Sequence, residues 1–254
     1  MGQNLSRNSA RDSLSIHLDA ILAREIEIGA SHLRVVGSSS SGICDYILSE
    51  LFSKEIISLP HLVIVSSQQD AYRLSQAIEF FDNARDVFLL SGYDVSPFSG
   101  MENRSRSTAE RINFLYRAQN AKPGQIFIAP LPYLLQKTSP FKHINEKSKV
   151  WRTREIFPEN IQAHLQGLGY LSAPIVEDVG QYSLRGGILD IYSPAHLLPV
   201  RIELFGEEIE SLRHFSTNDQ RSQQPIDSFH LLPVREFHIN DDNVEAVISN
   251  IRKS

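Results

Sequence analysis

The sequence has only one cysteine among its 254 residues, which excludes an internal disulfide and a zinc module rich in cysteine. Basic residues are not in excess either, because 25 Lys and Arg stand against 30 Asp and Glu, for a formal net charge of −5. A protein whose whole surface binds nucleic acid needs an excess of Lys and Arg, so the sequence argues against such a protein.

Long apolar runs are also missing. No stretch of the sequence approaches the ~20 apolar residues of a membrane span. Residues 1–12 are polar and lack the apolar core of a signal peptide, and the nine histidines are scattered without metal-ligand spacing. We therefore expect a cytoplasmic protein with a flexible N-terminal tail over residues 1–12, no membrane partner, no metal and no cofactor.

Short strands and helices alternate through the first half of the sequence. Compact apolar runs, typical of strands buried on both faces, lie at 62–65, 87–90 and 126–129. Helical spacing lies between them, and Ser107 with Glu110 has the spacing of a capping box at a helix start. The alternation predicts a parallel sheet with helices on both faces.

The pattern changes after about residue 138. Residues 140–149 are charged and typical of turns, 158–168 have helical spacing, and 182–215 alternate with period two, with Gly206 in a hairpin turn. Residues 230–233 return to the compact apolar style of the first half. We therefore predict an α/β domain over 13–138 and 230–254, interrupted by an inserted α+β domain over 139–229.

A turn between a predicted strand and a predicted helix has the glycine spacing of a phosphate-binding loop, with Gly37 and Gly42 at its ends. A working loop needs Lys and then Ser or Thr after the second glycine, but Ile43 and Cys44 stand there. We therefore predict that the loop is vestigial and that the chain is not an enzyme and has no catalytic residue. The simpler interpretation, a small-residue connection with Cys44 in the core, leads to the same expectation.

Two further groups of residues have a structural interpretation. Four arginines, which are Arg104, Arg106, Arg111 and Arg117, could contact phosphates, but Glu102 and Glu110 lie among them. This mixture favours a solvated helix face. We expect the single tryptophan, Trp151, to lie in the core.

The segment from Arg201 to Phe205 indicates an interaction surface. Alternation places Ile202 and Leu204 on one face of a strand and Arg201 and Phe205 on the other. Arg185, on the preceding predicted strand, would join that second face. An exposed aromatic flanked by arginines is typical of a protein-binding site. Burial of Phe205 beneath a neighbouring loop is the alternative interpretation.

Three segments resemble the N-terminal module that the transcription-repair coupling factor Mfd shares with the excision-repair protein UvrB. They read QYSLRGGILDIYSP at 181–194, LPVRIELF at 198–205 and EIESLR at 208–213. Shorter matches at 93–98, 111–116, 169–170 and 232–237 extend the resemblance to about residues 30 to 240. One departure is Ser193, which precedes the proline where the family runs straight from the aromatic residue to proline.

The resemblance implies a degenerate helicase-like domain of the P-loop NTPase type, interrupted by a smaller domain that binds UvrA. Carried over by motif, the UvrA contacts fall on Arg185, Arg201 and Phe205. The implied function is non-catalytic recruitment of UvrA in transcription-coupled nucleotide-excision repair. In the family, RNA polymerase and DNA are bound by parts of a longer chain beyond these 254 residues, so this sequence is a fragment or a short stand-alone relative.

Two other functions remain open from the sequence. The first is a DNA-binding or ATP-dependent repair helicase fragment like UvrB, against which the absence of Lys at Ile43 argues. The second is an autoinhibitory contact, in which the rest of a longer chain covers the predicted UvrA-binding face.

Overall fold

The computed structural model describes residues 59–81, 86–93 and 105–236, with the single positions 48 and 249. The chain divides into two compact units, residues 1–58 with 76–84, and residues 59–75 with 85–254. Almost all of the described residues lie in the second unit. The predicted phosphate-loop residues Gly37, Gly42, Ile43 and Cys44 lie outside the described residues, as does the predicted tail. None of the helices within the described ranges is long and apolar enough to cross a membrane.

A parallel three-stranded sheet forms the first part of the described chain. Its elements are β1 (His61–Val65), α1 (Gln68–Phe81), β2 (Val87–Leu89), α2 (Ser105–Gln119), β3 (Ile126–Pro130), α3 (Leu131–Leu134) and α4 (Phe141–Lys147). The strands pair in the order β1, β3, β2, and every residue of the central strand β3 is buried. The continuous apolar run of β3 follows from this burial on both faces. The mixed α/β class is therefore confirmed.

Two local predictions for this part are wrong. Helix α2 begins at Ser105, so Ser107 lies inside the helix and not at its start. The carboxylate of Glu110 instead accepts a hydrogen bond from the hydroxyl of Ser91, at 2.5 Å. Residues 140–149, predicted as turns, include the helix α4, whose Ile144 is buried. Ile144 packs in the same buried cluster as Ile112 of α2 and Phe127 of β3.

The second part of the chain is built around a six-stranded sheet. Its elements are β4 (Lys149–Arg152), α5 (Ile161–Gly167), β5 (Leu171–Ser172), β6 (Gln181–Arg185), β7 (Ile188–Ile191), β8 (Val200–Phe205), β9 (Glu208–Phe215), β10 (Ser222–Pro225) and β11 (Ser228–Leu231). The sheet has the order β10, β9, β8, β7, β6, β5, and all pairs are antiparallel except β5 with β6. The strands β4 and β11 pair separately with each other.

One face of the six-stranded sheet packs on a hydrophobic core. Leu165 of α5 and Phe229 of β11 are fully buried in it, together with Trp151 of β4, as predicted. The hydroxyl of Tyr170 donates to the carbonyl of Leu232 at 2.7 Å, so its buried polar atom is satisfied. Leu231, assigned from the sequence to the returning α/β domain, pairs with Lys149 of β4. The predicted domain boundaries stay a prediction.

A buried ion pair joins α2 to the segment that follows β11. The Nε of Arg111 donates to Glu236 at 2.8 Å, and both side chains are inaccessible to solvent. The Glu236 carboxylate also accepts the hydroxyl of Tyr93 at 2.7 Å and the N–H of Ser139 at 2.7 Å. The predicted solvated helix face is therefore wrong at Arg111, because a long-range carboxylate compensates the burial of its charge.

Candidate protein-interaction surface

The six-stranded sheet has one apolar and one largely polar face. Leu189, Ile202 and Leu212 lie side by side across β7, β8 and β9 and are buried in the core. Because side chains alternate along a strand, the paired residues Asp190 and Arg201 lie on the opposite face. We call this opposite side the outward face.

The outward face consists of rows of residues that pair across the strands. The first row is Ser183, Asp190, Arg201 and Arg213, the second is Arg185, Ile188, Glu203 and Ser211, and the last contains Phe205 and Glu208. The residues predicted from the sequence therefore lie in three successive rows of one face.

Arg201 and Asp190 form a two-pronged ion pair in the first row. The Nε of Arg201 donates to Oδ1 of Asp190 at 2.7 Å, and its Nη2 donates to Oδ2 at 2.9 Å. The guanidinium also lies over the ring of Phe215, 5.0 Å from its centre. The hydrogen bonds to Asp190 raise the pKa of Arg201, so its guanidinium stays charged.

The two arginines differ in the exposed fraction of their side chains. The Arg201 side chain is 18% exposed and its Asp190 partner only 1%, whereas the Arg185 side chain is 60% exposed. Arg185 reaches the same carboxylate only through Nη2, at 3.3 Å. Arg185 therefore keeps free donors toward solvent, while Arg201 is committed to its neighbours. Arg201 therefore lies on the predicted face of the sheet, but most of its side chain is buried there.

Phe205 lies at the end of the outward face, where β8 turns into β9. It is 79% exposed, so the alternative of burial beneath a loop is wrong. The predicted hairpin is confirmed: Gly206 follows with a φ of 63°, in the left-handed region that favours glycine. The register shifts between Glu203 and Leu204, and such a bulge strengthens the local twist of the strands.

A cluster of histidines lies beside the core, away from the outward face. The Nε2 of His196 accepts the N–H of His230 at 2.9 Å, and its ring stacks on that of Phe229. Burial, with smaller effects of neighbouring His214, His230 and Arg117, lowers the pKa of His196 to about 3. Within the part of the chain that the structure describes, no group of three or more His, Cys, Asp or Glu residues could hold a metal ion.

Sequence reasoning missed two residues of the outward face. Asp190 belongs to the segment at 181–194 that carries the family resemblance, and a carboxylate on the strand next to that of Arg201 was the available signal. Ile156 is 75% exposed, and its backbone bridges to Glu208. Nothing in the sequence near Ile156 indicates that it joins a strand far along the chain.

Comparison with known proteins covers most of the chain. Residues 149–237 match the family model of the UvrB interaction domain. Transcription-repair-coupling factors are similar to the chain: that of Haemophilus influenzae is 27% identical over 194 residues, which is 76% of this chain and 17% of that protein. For the Escherichia coli protein the values are 25% over 228 residues, 89% and 20%.

The Bacillus subtilis transcription-repair-coupling factor is 30% identical over 151 residues, which is 56% of this chain and 12% of that protein. The chain thus spans at most 20% of the length of these three relatives. The resemblance stated from the sequence motifs is confirmed, and it links the chain to proteins of DNA repair.

Proposed function

Because residues 149–237 match the UvrB interaction domain and the chain is similar to transcription-repair-coupling factors, we propose that it is a UvrA-recruiting module for transcription-coupled nucleotide-excision repair. The inserted domain binds UvrA through the outward face of its six-stranded sheet. In this proposal RNA polymerase and DNA are bound only through parts of a longer chain.

The observation that carries this proposal is the exposure of Phe205 on the same face of the sheet as Arg185, inside the matched region. A large aromatic ring that is 79% exposed has lost the free energy that burial would provide. Binding to a partner recovers it, and aromatic residues and arginine are enriched in the cores of protein interfaces. Phe205 supplies the apolar contact, and Arg185 supplies a charged donor for a carboxylate of UvrA.

Arg201 has a different part in this surface. Its donors are already used by Asp190, and its Nη1 lies 3.3 Å from the carbonyl of Gln220. Arg201 therefore stabilises the carboxylate to which Arg185 also bonds, and only its exposed edge contacts UvrA.

The module acts without catalysis. Its loop carries Ile43 where a cation must meet the nucleotide phosphates, and Cys44 where an oxygen ligand must hold Mg²⁺. The degenerate helicase-like domain then serves as the scaffold that holds the inserted domain. The purified chain is expected to show no ATP turnover, and turnover abolished by replacing residues 37–44 would contradict this.

Titration of the purified chain with UvrA tests the binding. Phe205→Ala should weaken binding by about 30-fold to 1000-fold, the effect of about 2 to 4 kcal/mol at a hot spot. Phe141→Ala is the matched control, since Phe141 is also exposed but lies in α4. Thermal melting must show that both variants are folded. Equal affinities of the wild type and Phe205→Ala would refute the proposal.

A further inference from the structure

The segment before α5 adds to the sheet at the end of the outward face. The N–H of Arg154 donates to the carbonyl of Ile209 at 2.8 Å, and the N–H of Ile209 donates to the carbonyl of Glu155 at 3.0 Å. Phe157 then donates to the carbonyl of Glu207 at 2.7 Å. These bonds hold residues 154–157 against the start of β9.

This pairing extends the last row of the outward face. Residues directly opposite each other on paired strands have their side chains on the same side of the sheet. Glu208 pairs with Phe205 on one side and with Ile156 on the other. The three side chains Phe205, Glu208 and Ile156 therefore form one row.

The orientation of Ile156 is set by its neighbour in the chain. Phe157 is buried in the core, with its ring 5.2 Å from that of Trp151. Alternation along the extended segment then turns Ile156 away from the core. Ile156 is 75% exposed, and Ile188, one row away, is also accessible. Single exposed apolar residues are ordinary, but two exposed apolar side chains in one row, those of Phe205 and Ile156, are a candidate contact area.

We propose that Ile156 is a contact residue for the same partner as Phe205, so that UvrA binds the whole row of Phe205, Glu208 and Ile156. This rests on the proposed function. UvrA is the occupant because the row continues without a break from Phe205. Neighbouring strands lie about 5 Å apart, so a partner surface that spans two strand spacings contacts both apolar side chains and meets the carboxylate of Glu208 between them.

Acidic side chains lie in and around the row of Phe205, Glu208 and Ile156. Glu207, Glu208 and Glu210 are exposed carboxylates around Phe205, and within the described residues none of them has an ion-pair partner. A basic group on UvrA opposite Glu208 would complement them, and it would select against partners that carry an acidic rim.

The test compares substitutions of two exposed apolar residues, one beside β9 and one at the opposite edge of the six-stranded sheet. Ile156→Ser is expected to weaken UvrA binding by about 10-fold, as for a contact beside a hot spot. Leu171→Ser is the matched control: Leu171 is 61% exposed but lies on β5, at the far edge of the six-stranded sheet. It should bind like the wild type. Both variants should melt like the wild type, because neither side chain is buried.

Measuring Phe205→Ala beside these variants separates the two conclusions. If UvrA fails to bind the wild type, or binds Phe205→Ala equally well, the proposed function is wrong and the inference with it. If Phe205→Ala loses binding while Ile156→Ser keeps full affinity, only the inference is overturned. Sedimentation of the chain without UvrA tests whether a second copy of the chain binds this row instead. A dimer of the wild type that Ile156→Ser abolishes would overturn the inference.

Discussion

Replacing Arg201 with alanine would leave the carboxylate of Asp190 buried and without its main partner. Asp190 is only 1% exposed, and Arg201 provides two of the hydrogen bonds to it, at 2.7 and 2.9 Å. Removing one member of a fully buried ion pair costs about 3–5 kcal/mol. Arg201 is 18% exposed and Arg185 remains within 3.3 Å, so we expect a loss of about 2–3 kcal/mol for Arg201→Ala.

The same reasoning predicts a much smaller effect at the neighbouring arginine. Arg185 is 60% exposed and makes a single long contact with Asp190. Exposed ion pairs contribute about 0–1 kcal/mol, so Arg185→Ala should hardly change the stability. Loss of UvrA binding by Arg185→Ala can therefore be attributed to a lost contact, whereas loss by Arg201→Ala includes a folding defect.

Urea unfolding followed by tryptophan fluorescence measures both effects. The only tryptophan, Trp151, is buried in the hydrophobic core on which the six-stranded sheet packs. With a slope of about 2–3 kcal/mol per molar urea, the Arg201→Ala midpoint should fall by about 1 M.

The double variant Asp190→Asn with Arg201→Ala is the control for the physical cause. The double variant has no unpaired buried charge. Its loss of unfolding free energy should therefore differ by more than about 1 kcal/mol from the sum of the losses measured for Asp190→Asn and Arg201→Ala separately. An Arg201→Ala midpoint equal to that of the wild type, or strictly additive losses in the double variant, would refute the argument.

Two further predictions concern the core side of the sheet. Ile202→Ala should cost about 2–5 kcal/mol of stability through lost burial and a cavity, because Ile202 is fully buried; an unchanged urea midpoint would contradict its place in the core. His196→Gln should make the free energy of unfolding depend less on pH below neutrality. Because the pKa of His196 is lowered to about 3 in the fold, its neutral form contributes stability above about pH 6.5 that is lost as the pH falls toward 3. This amounts to about 3 kcal/mol between pH 7 and pH 4, and parallel profiles for both proteins would show that the histidine does not titrate on unfolding.

Local patterning was sufficient for the strands and their faces. The period-two alternation from Arg201 to Phe205 placed Ile202 in the core and Phe205 on the outward face, and Gly206 marked the hairpin. These features depend on residues close together in the chain, and the apolar period and the turn glycine act over the same few residues. The family resemblance rests on the same local segments.

Partners between distant segments were not predictable in this way. Arg111 was predicted to lie on a solvated helix face because Glu102 and Glu110 lie among the arginines of that segment. Its partner Glu236 lies 125 residues further along the chain. Helical spacing alone does not show which side of α2 the segment after β11 will cover. A buried charge is stable only beside a compensating carboxylate, and the tertiary fold supplies it.

For the outward face, too, the sequence determined some features and the tertiary structure determined the others. The sequence by itself determined that Arg185 and Phe205 point away from the core, because alternation along each strand requires it. Only the tertiary structure decided that Asp190 withdraws Arg201 from solvent, and that Ile156 lies in the row of Phe205. Both depend on which strands pair and in what register, and a shift of one residue would send these side chains to the other face.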